Sequence, residues 1–480
     1  MSKKISLIIA LFSLLITILI LSYIDIEPNG IVYKYSLLIV AINAVLFIFN
    51  IIRKGVGLLS FSFIFLLGYI VLHFQVVGLE LLGYKMPSYT YNLFWGDDSV
   101  KNKSVLYAAL GIISYFIGYY FSSDNLSNKN KSLETENVSF LIFGAYVTYI
   151  LFFVGSGSYI QGDYSAEGAS GVSSYFFKLF NAMLIASIIV KLTAFTNCYD
   201  KRKLTLFQYL MVFGKPTLFL TLWHMSFSLY VGDRGVVLTF GLMLVSLYYI
   251  RVKELSLIKA FAYIFILASV LTIVGEARQS RHTNENLLSR LTTATNDIEG
   301  NSKWYNERVL GNSTLELALS MRTFNHTIYN IPSQYEYQYG LFQAQKLVAI
   351  IPGLSKYYND FLYDGDNKYN GTSNFITYLI QGNNPTYGDG TSINADLYLD
   401  FGIFGVVCGL LILGYFIGCN EKRLTTGAQC STSFCWIAII VFLSKSLYLS
   451  RSSILFEVSN MILILFFIMI NNYFVKVFRK

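Results

Sequence analysis

Residues 216–250 read PTLFLTLWHMSFSLYVGDRGVVLTFGLMLVSLYYI, two apolar runs separated by GDRG at 232–235. Each run approaches the roughly 20 residues that an α-helix needs to cross a bilayer. The stretch therefore predicts a hairpin of two membrane spans with Asp233 and Arg234 in its turn. Because ionisable residues at membrane depth are costly and often functional, this pair is a candidate binding feature.

The composition of the whole chain predicts the same class of protein. Of 480 residues, 54% are hydrophobic and 13% are charged, with a mean hydropathy of +0.52. Soluble domains carry about 25% charged residues. The sequence therefore predicts an all-α polytopic membrane protein. The formal net charge of +8 then reflects membrane orientation and gives no indication of a nucleic-acid partner.

Apolar runs along the chain predict about twelve transmembrane helices. The predicted spans are 5–24, 31–52, 57–79, 105–121, 138–154, 172–194, 206–230, 235–250, 257–275, 394–418, 433–449 and 453–475. Lys215-Pro216 interrupts the seventh run, which predicts an interfacial helix over 204–214 followed by a short span. A large, partly helical external loop separates the ninth and tenth spans. The predicted organisation is spans one to nine in 1–275, the loop in 276–393 and the last three spans in 394–480.

Basic residues in short loops predict the orientation of the chain, because they favour the cytoplasmic side. If the N-terminus is cytoplasmic, that side receives Lys3, Lys4, Arg53, Lys54, Lys201, Arg202, Lys203, Arg251, Lys253, Lys422, Arg423, Lys476, Arg479 and Lys480. The opposite side receives 155–171, which has no Lys or Arg. Both termini are therefore predicted to be cytoplasmic. The N-terminal apolar run is too long for a signal peptide and predicts an uncleaved helix.

The predicted external loop contains two segments with helical character. Residues 309–328 place apolar side chains at three-to-four spacing. Residues 341–354 are apolar but too short to span, which suits a helix lying on or dipping into the bilayer. Tyrosine-rich stretches such as 334–340 and 355–371 are typical of a sugar-binding surface or of an interfacial aromatic belt.

Several basic side chains map to the non-cytoplasmic half of the protein, against the usual bias. They are Lys178, Arg234, Arg278, Arg281, Lys445 and Arg451. A basic residue at a helix end commonly extends to the interface or binds a lipid headgroup. Several cations around one cavity would instead suit a phosphate or pyrophosphate, for which arginine offers bidentate donors.

Acidic residues and histidines near these cations are candidate proton acceptors. Asp396 and Asp400 stand four residues apart, on one face of the tenth helix. Their alternative role is to stabilise the helix N-terminus. Glu276 and His282 flank Arg278 and Arg281 in the sequence and suit a base or a group that orients an acceptor hydroxyl.

Several classes of chemistry leave no signature in the chain. It has no Walker loop, no HExxH and no GxSxG. The five cysteines predict neither a disulfide framework nor a metal site. We therefore expect no metal and no cofactor. Outside the cytoplasm, the energy for synthesis would come from an activated, lipid-linked substrate.

Three local motifs and the overall architecture resemble the oligosaccharide repeat-unit polymerases of the O-antigen polymerase (Wzy) family. The motifs are GDRG at 232–235 opening a span, Arg278 and Arg281 at the start of the large loop, and GDGTSINADLYLDFGIFGVVCG at 388–409 closing it. The architecture covers nearly the whole chain, whereas the motifs cover a few dozen residues. The resemblance implies a GT-C-like fold in a bacterial inner membrane, with the active site facing the periplasm.

The resemblance also implies a metal-independent glycosyltransferase. Both donor and acceptor would be oligosaccharides on undecaprenyl pyrophosphate, and the growing chain would move to the terminal sugar of a new unit. Membrane lipids, a chain-length regulator and a flippase are the further partners that it implies. Arg234, Arg278, Arg281 and Arg451 would bind the pyrophosphate, and Glu276, His282 or Asp396 would accept the proton. The remaining candidates for substrate binding are Asp233, Lys178, Lys445 and Asp400.

Two other functions fit part of the pattern. An O-antigen ligase would share the external loop and the arginines but would use lipid A core as acceptor. A flippase for lipid-linked oligosaccharides would have a similar number of spans and a cationic cavity. Its loops would be short and its halves related by a repeat, whereas the sequence shows a long loop at 276–393 and no repeat.

Overall fold

The computed structural model describes residues 3–22, 30–122, 137–160, 171–198, 204–253, 312–351, 353–426 and 434–478, with a few residues between 255 and 263. The helices in these ranges are α1 (Lys3–Ser22), α2 (Gly30–Arg53), α3 (Phe61–Leu81), α4 (Ser88–Trp95), α5 (Asp98–Phe121), α6 (Ser139–Gly155), α7 (Gly157–Ile160), α8 (Val172–Cys198), α9 (Leu206–Met211), α10 (Lys215–Val231), α11 (Arg234–Arg251), α12 (Asn312–Leu319), α13 (Met321–Asn330), α14 (Leu341–Val348), α15 (Leu354–Tyr363), α16 (Thr372–Gln381), α17 (Ile393–Thr426), α18 (Phe434–Lys445) and α19 (Ile454–Phe478). No strand occurs within these ranges.

The predicted all-α polytopic membrane fold is confirmed. Eight described helices are long and apolar enough to cross a membrane, namely α1, α2, α3, α5, α8, α11, α17 and α19. The shorter helices α6 and α18 are also apolar. The predicted ninth span, 257–275, lies almost wholly outside the described residues. The count of twelve, the external loop and the three-part division of the chain therefore stay predictions.

The predicted interruption of the seventh span is confirmed. Helix α9 ends at Met211, and α10 begins at Lys215 with Pro216 in its first turn. Between them, Gly214 adopts a φ of 84°, which a glycine reaches without steric cost. The proline fits here because the first turn of a helix has N–H groups without intrahelical partners. The chain thus turns before it enters α10.

Helix α1 shows how these helices pack without a polar exterior. Its buried positions carry small residues, Ser6, Ala10, Ser13 and Thr17, whereas large aliphatic side chains face outward. Asn43 and Asn50 of α2 donate side-chain hydrogen bonds of 2.8 Å to Ser13 and Ser6, respectively. Small residues and interhelical hydrogen bonds are typical of helix contacts inside membranes.

Helices α5 and α17 approach each other closely through glycines. A Cβ on Gly414 would lie 2.1 Å from the carbonyl oxygen of Tyr115, and one on Gly118 would lie 2.0 Å from that of Leu411. Gly414 and Gly418 form a GxxxG pattern, the small-residue spacing that lets membrane helices touch backbone to backbone. This contact fixes α17, which carries two of the predicted site residues.

The chain divides into two compact units, which are described separately below. The first comprises residues 1–125, 296–421 and 446–456. The second comprises residues 126–295, 422–445 and 457–480. Most of the described segment between α11 and α17 therefore belongs to the first unit.

Short helices of the predicted external loop dock on the spanning helices of the first unit. Thr314 of α12 donates a 2.8 Å hydrogen bond to Gln75 of α3. In α13, the Asn325 amide donates to the Phe94 carbonyl at 2.9 Å. Phe94 lies in the last turn of α4, where carbonyls lack intrahelical partners. These contacts hold α12 against α3 and α13 against α4.

Candidate functional site

The first feature of the site is a break in α17 at Gly402, where φ is 62° and ψ is −154°. The break frees backbone carbonyls one turn earlier. The N–H groups of Gln338 and Tyr339 donate to the carbonyls of Leu399 and Asp400 at 3.1 and 3.0 Å. The segment before α14 thus replaces the missing helical hydrogen bonds and is tied to the spanning helix.

Asp400 holds the N-terminus of α14. One carboxylate oxygen accepts hydrogen bonds from the N–H groups of Gly340 and Phe342 at 3.2 and 3.4 Å. The other accepts from the N–H of Gln343 at 3.2 Å. Asp400 is completely buried. An anion stabilises a helix N-terminus, so the carboxylate serves a helix other than its own.

Asp396, one turn earlier in α17 than Asp400, contacts the same helix. Its carboxylate forms an ion pair with Lys346 and accepts a 2.9 Å hydrogen bond from the Gln343 side-chain amide. The side chain of Asp396 is 1% exposed and that of Lys346 is 10% exposed. The two acids thus share one face, as their spacing predicts, and that face binds α14. Their predicted roles toward substrate stay predictions.

The turn before α17 is built around Asp389, whose side chain is fully buried. Asp389 forms an ion pair with Arg322 of α13 and accepts a 2.6 Å hydrogen bond from the Gln381 amide of α16. Its backbone N–H donates to the Thr377 hydroxyl at 3.0 Å. The guanidinium of Arg322 also lies 5.3 Å from the centre of the Tyr387 ring. One carboxylate therefore joins the turn at 388–390 to two loop helices.

Arg451 lies beside this turn. It ends a short 3-10 helix, Leu449–Arg451, that follows α18. Its Nε lies 4.0 Å from the position that a Cβ on Gly390 would occupy. Gly390 has a φ of 78°, which favours glycine. The structure thus places one of the predicted pyrophosphate-binding arginines beside the predicted motif that closes the loop.

His326 is buried and binds the last turn of α4. Its Nε2–H donates to the Leu93 carbonyl at 2.8 Å. Burial lowers the pKa of the imidazole, with the nearby Arg322 acting in the same direction. The hydrogen bond to the Leu93 carbonyl and the charge of Asp389 oppose this shift. This buried histidine thus connects α13 to α4.

Tyrosine rings in the loop mostly stack on one another. Tyr363 and Tyr369 have ring centres 4.4 Å apart, and Tyr369 and Phe375 have centres 5.1 Å apart. Tyr363 also donates a 3.1 Å hydrogen bond to the Gln338 side chain. These rings form a small core inside the loop segment. The predicted aromatic sugar surface would have to use other rings, such as that of Tyr387, which is half exposed.

In the second unit, Asp233 and Arg234 begin α11. The Asp233 carboxylate caps the helix by accepting a 2.9 Å hydrogen bond from the N–H of Gly235. Lys445 donates a 3.1 Å hydrogen bond to the Thr239 hydroxyl, about one turn into the same helix. Two cations of the predicted site, Arg234 and Lys445, are therefore placed along the first turns of α11.

Lys178 lies in α8 of the same unit and is half-buried. Its neighbours Phe177 and Phe180 pack around His224 of α10, with ring centres 5.5 and 4.7 Å from the imidazole. The Tyr149 hydroxyl lies 3.3 Å from Nδ1 of His224. His224 therefore lies in a packed aromatic core, as expected for a histidine with a structural role.

Four predicted site residues, Glu276, Arg278, Arg281 and His282, lie outside the described residues. Within the described residues, three side chains that were not predicted bind an acid of the site: Arg322, Lys346 and Gln343. A weak signal existed for Arg322, because it interrupts the otherwise apolar face of 309–328. Asp389 lies in the motif at 388–409 but was not predicted to be a site residue.

Together, the fold and the site define a class of polytopic membrane protein. In it, short loop helices are held by ion pairs and hydrogen bonds against the start of a spanning helix, α17. Residues 4–480 match the family described as O-antigen polysaccharide polymerase Wzy. The chain therefore belongs to this family. No curated protein and no solved structure matches the chain.

Membership of the family determines the class of activity. The chain is a multi-pass membrane protein of the glycosyltransferase type that polymerises oligosaccharide repeat units into polysaccharide. Its substrates are lipid-linked repeat units. The match supports the polymerase over the ligase and the flippase, which the sequence analysis had kept as alternatives.

Proposed function

We propose that the protein extends a glycan on undecaprenyl pyrophosphate by transferring the growing chain to the terminal sugar of a new lipid-linked unit. The family match over 4–480 carries this proposal. The position of Arg451 beside the braced turn at 388–390 supports it, because a fixed arginine suits a pyrophosphate. The reaction would take place on the periplasmic side of a bacterial inner membrane, with both termini in the cytoplasm.

The proposed step exchanges one C–O bond for another. The bond between the anomeric carbon of the growing chain and its pyrophosphate breaks, and the electron pair leaves with the phosphate. An acceptor hydroxyl forms the new glycosidic bond and gives up its proton. Arg451, Arg234, Arg278 and Arg281 are the proposed phosphate ligands, and they would stabilise the charge that develops on the leaving oxygen. Neither nucleotide nor metal takes part in the proposed step.

The proton acceptor is proposed to be Glu276 or His282. The third predicted base, Asp396, is already ion-paired with Lys346 and hydrogen-bonded by Gln343. Both oxygens of that carboxylate are therefore already bound by donors of the protein itself. We therefore propose that Asp396 and Asp400 position α14, while the proton leaves through a residue at the start of the loop.

The proposal is tested in a deletion strain complemented with wild type, Arg451→Ala or Arg451→Lys. We expect wild type to restore a ladder of long polymer and Arg451→Ala to leave single repeats, since losing one stabilising donor costs about 100-fold or more in rate. Arg451→Lys should restore little, because lysine lacks the bidentate fork. Lys85→Ala, which changes an exposed cation of the same unit, is the matched control.

The same strain separates the alternatives. A deletion that leaves single-repeat glycan supports a polymerase, whereas a deletion without any attached glycan supports a ligase or a flippase. Normal chain lengths in Arg451→Ala, at wild-type protein levels in the membrane, would contradict the role of Arg451.

A further inference from the structure

The amphipathic pattern of α15 is inverted relative to that of a helix in a soluble protein. Its large apolar side chains point away from the protein, with Tyr357 and Phe361 exposed to 72% and 84%. The residue that it buries is polar, Asn359. Leu354, Tyr357 and Phe361 follow each other at three-to-four spacing and form one stripe. A helix of this kind needs an apolar environment on its outer side.

The stripe continues into the segment before α15. Leu347 and Ile351 are exposed to 39% and 58%, and they precede Leu354 at the same spacing. In α14, Phe342, Gln343 and Gln345 are buried against the protein. The exposed apolar side chains before and within α15, which we name the apolar stripe, are Leu347, Ile351, Leu354, Tyr357 and Phe361.

The position of the break in α17 indicates how deep in the membrane this surface lies. Helix α17 has 34 residues, about 51 Å at 1.5 Å per residue, which exceeds the hydrocarbon thickness of roughly 30 Å. Measured back from Lys422, which is near its predicted cytoplasmic end, about 30 Å of helix reaches Gly402. The break therefore lies close to the opposite edge of the hydrocarbon layer, and the N–H groups of 338–339 are bound there.

Exposed aromatic side chains of α17 lie near the start of the loop helices. Phe401 and Phe404 are exposed on that helix, to 46% and 71%. The ring of Phe401 lies 3.0 Å from the position that a Cβ on Gly340 would occupy, at the start of α14. The loop segment therefore begins beside an exposed aromatic side chain of the spanning helix.

The charges of α15 lie away from the stripe. Lys356 and Asp360 are exposed, and Lys356 falls on the side of the helix opposite to Leu354. Lys346, the basic residue of α14, is ion-paired with Asp396. An apolar stripe flanked by a separate charged arc is the arrangement of a helix that lies in the plane of a membrane interface.

We propose that residues 347–361 lie in the boundary between headgroups and acyl chains of one leaflet, where lipid acyl chains cover the apolar stripe. By the predicted orientation, this is the periplasmic leaflet. The occupant is membrane lipid, and the contact holds the loop helices at the depth where α17 breaks. This surface is independent of the phosphate ligands and the base proposed above.

The test uses the full chain in nanodiscs that contain phospholipids brominated on their acyl chains, which quench nearby tryptophans. Phe361→Trp introduces a probe on the stripe, and Lys356→Trp places the matched control on the charged arc of the same helix. The emission of the four native tryptophans is measured in the unmodified protein and subtracted. We expect roughly two-fold stronger quenching at 361 than at 356, and stronger quenching by shallow than by deep bromines.

Equal and weak quenching at both positions would overturn the proposal. A second copy of the chain covering the stripe would also overturn it, and would appear as a dimer in nanodiscs with both probes shielded from the lipid. Tyr357→Trp repeats the measurement one turn earlier, so that poor expression of one variant does not decide the outcome. Because Tyr357 and Phe361 are exposed, replacing either of them by tryptophan disturbs no packed side chains.

Discussion

Replacing Asp400 by asparagine should loosen α14 without unfolding the spanning helices. Asparagine keeps a carbonyl oxygen, which can take the place of the carboxylate oxygen that binds Gly340 and Phe342. Its NH2 group would face the N–H of Gln343, which then loses its acceptor. Negative charge at the N-terminus of α14 is lost as well.

The size of the effect follows from these contacts. A hydrogen bond to a charged group contributes about 1.5–3 kcal/mol. The N–H···O distances of 3.2–3.4 Å are long, which favours the lower end of that range. About 1.5 kcal/mol corresponds to roughly a ten-fold increase in the opening equilibrium of α14. Asp400→Ala removes all three acceptor contacts and should raise it further.

Hydrogen exchange of the purified protein, followed by mass spectrometry, measures this opening directly. We expect peptides over 338–348 to exchange about ten-fold faster in Asp400→Asn, with α5 unchanged. Asp364→Asn is the matched control, because Asp364 is exposed and its φ of 52° suits asparagine. Unchanged exchange over 338–348 would refute the idea that the carboxylate holds α14.

Three further predictions concern packing, pH and the braced turn. Gly414→Ala should lower the thermal unfolding midpoint in detergent, because the new Cβ would lie 2.1 Å from the Tyr115 carbonyl oxygen. Such overpacking costs about 1–3 kcal/mol. Gly78→Ala is the control and should leave the midpoint unchanged, because the space around Gly78 is open. Burial lowers the pKa of His326 in the folded protein, so on acidification the unfolded chain takes up a proton at a higher pH than the folded one. The free energy of unfolding should therefore fall as the pH drops below about 6.5. His326→Gln should make this pH dependence weaker. Arg322→Gln should leave the buried Asp389 carboxylate without its cation and shorten the polymer, whereas the joint change Arg322→Gln with Asp389→Asn should recover part of the length.

Each of these has an outcome that contradicts it. Equal midpoints for Gly414→Ala and Gly78→Ala would show that α5 and α17 can separate at no cost. A wild-type pH profile in His326→Gln would assign the acid sensitivity to other groups. If the double change were no better than Arg322→Gln, Arg322 would act on something other than Asp389.

The apolar runs predicted most spans because hydropathy alone determines where a helix can cross. The prediction 394–418 begins within one residue of α17, where Ser392 caps the helix. The prediction 105–121 missed the first turns of α5, which begins after Asp97. That start is polar, so only its capping residue marks it in the sequence.

The site was predictable where it depends on spacing along one helix. Asp396 and Asp400 share a face because they are four residues apart. What that face binds depends on contacts between distant segments, since Lys346 is 50 residues and Gly340 is 60 residues away in the chain. The pairing of Arg322 with Asp389 spans 67 residues. No local pattern encodes such partners.

The most direct test of the central claim uses the purified protein in liposomes with undecaprenyl-pyrophosphate-linked repeat units as the sole substrate, and without nucleotide. We predict a ladder of polymer and the release of one undecaprenyl pyrophosphate for each new glycosidic bond, with both products much reduced in Arg451→Ala. Repeat units that remain single, with no carrier released by protein that is folded and inserted, would contradict the account.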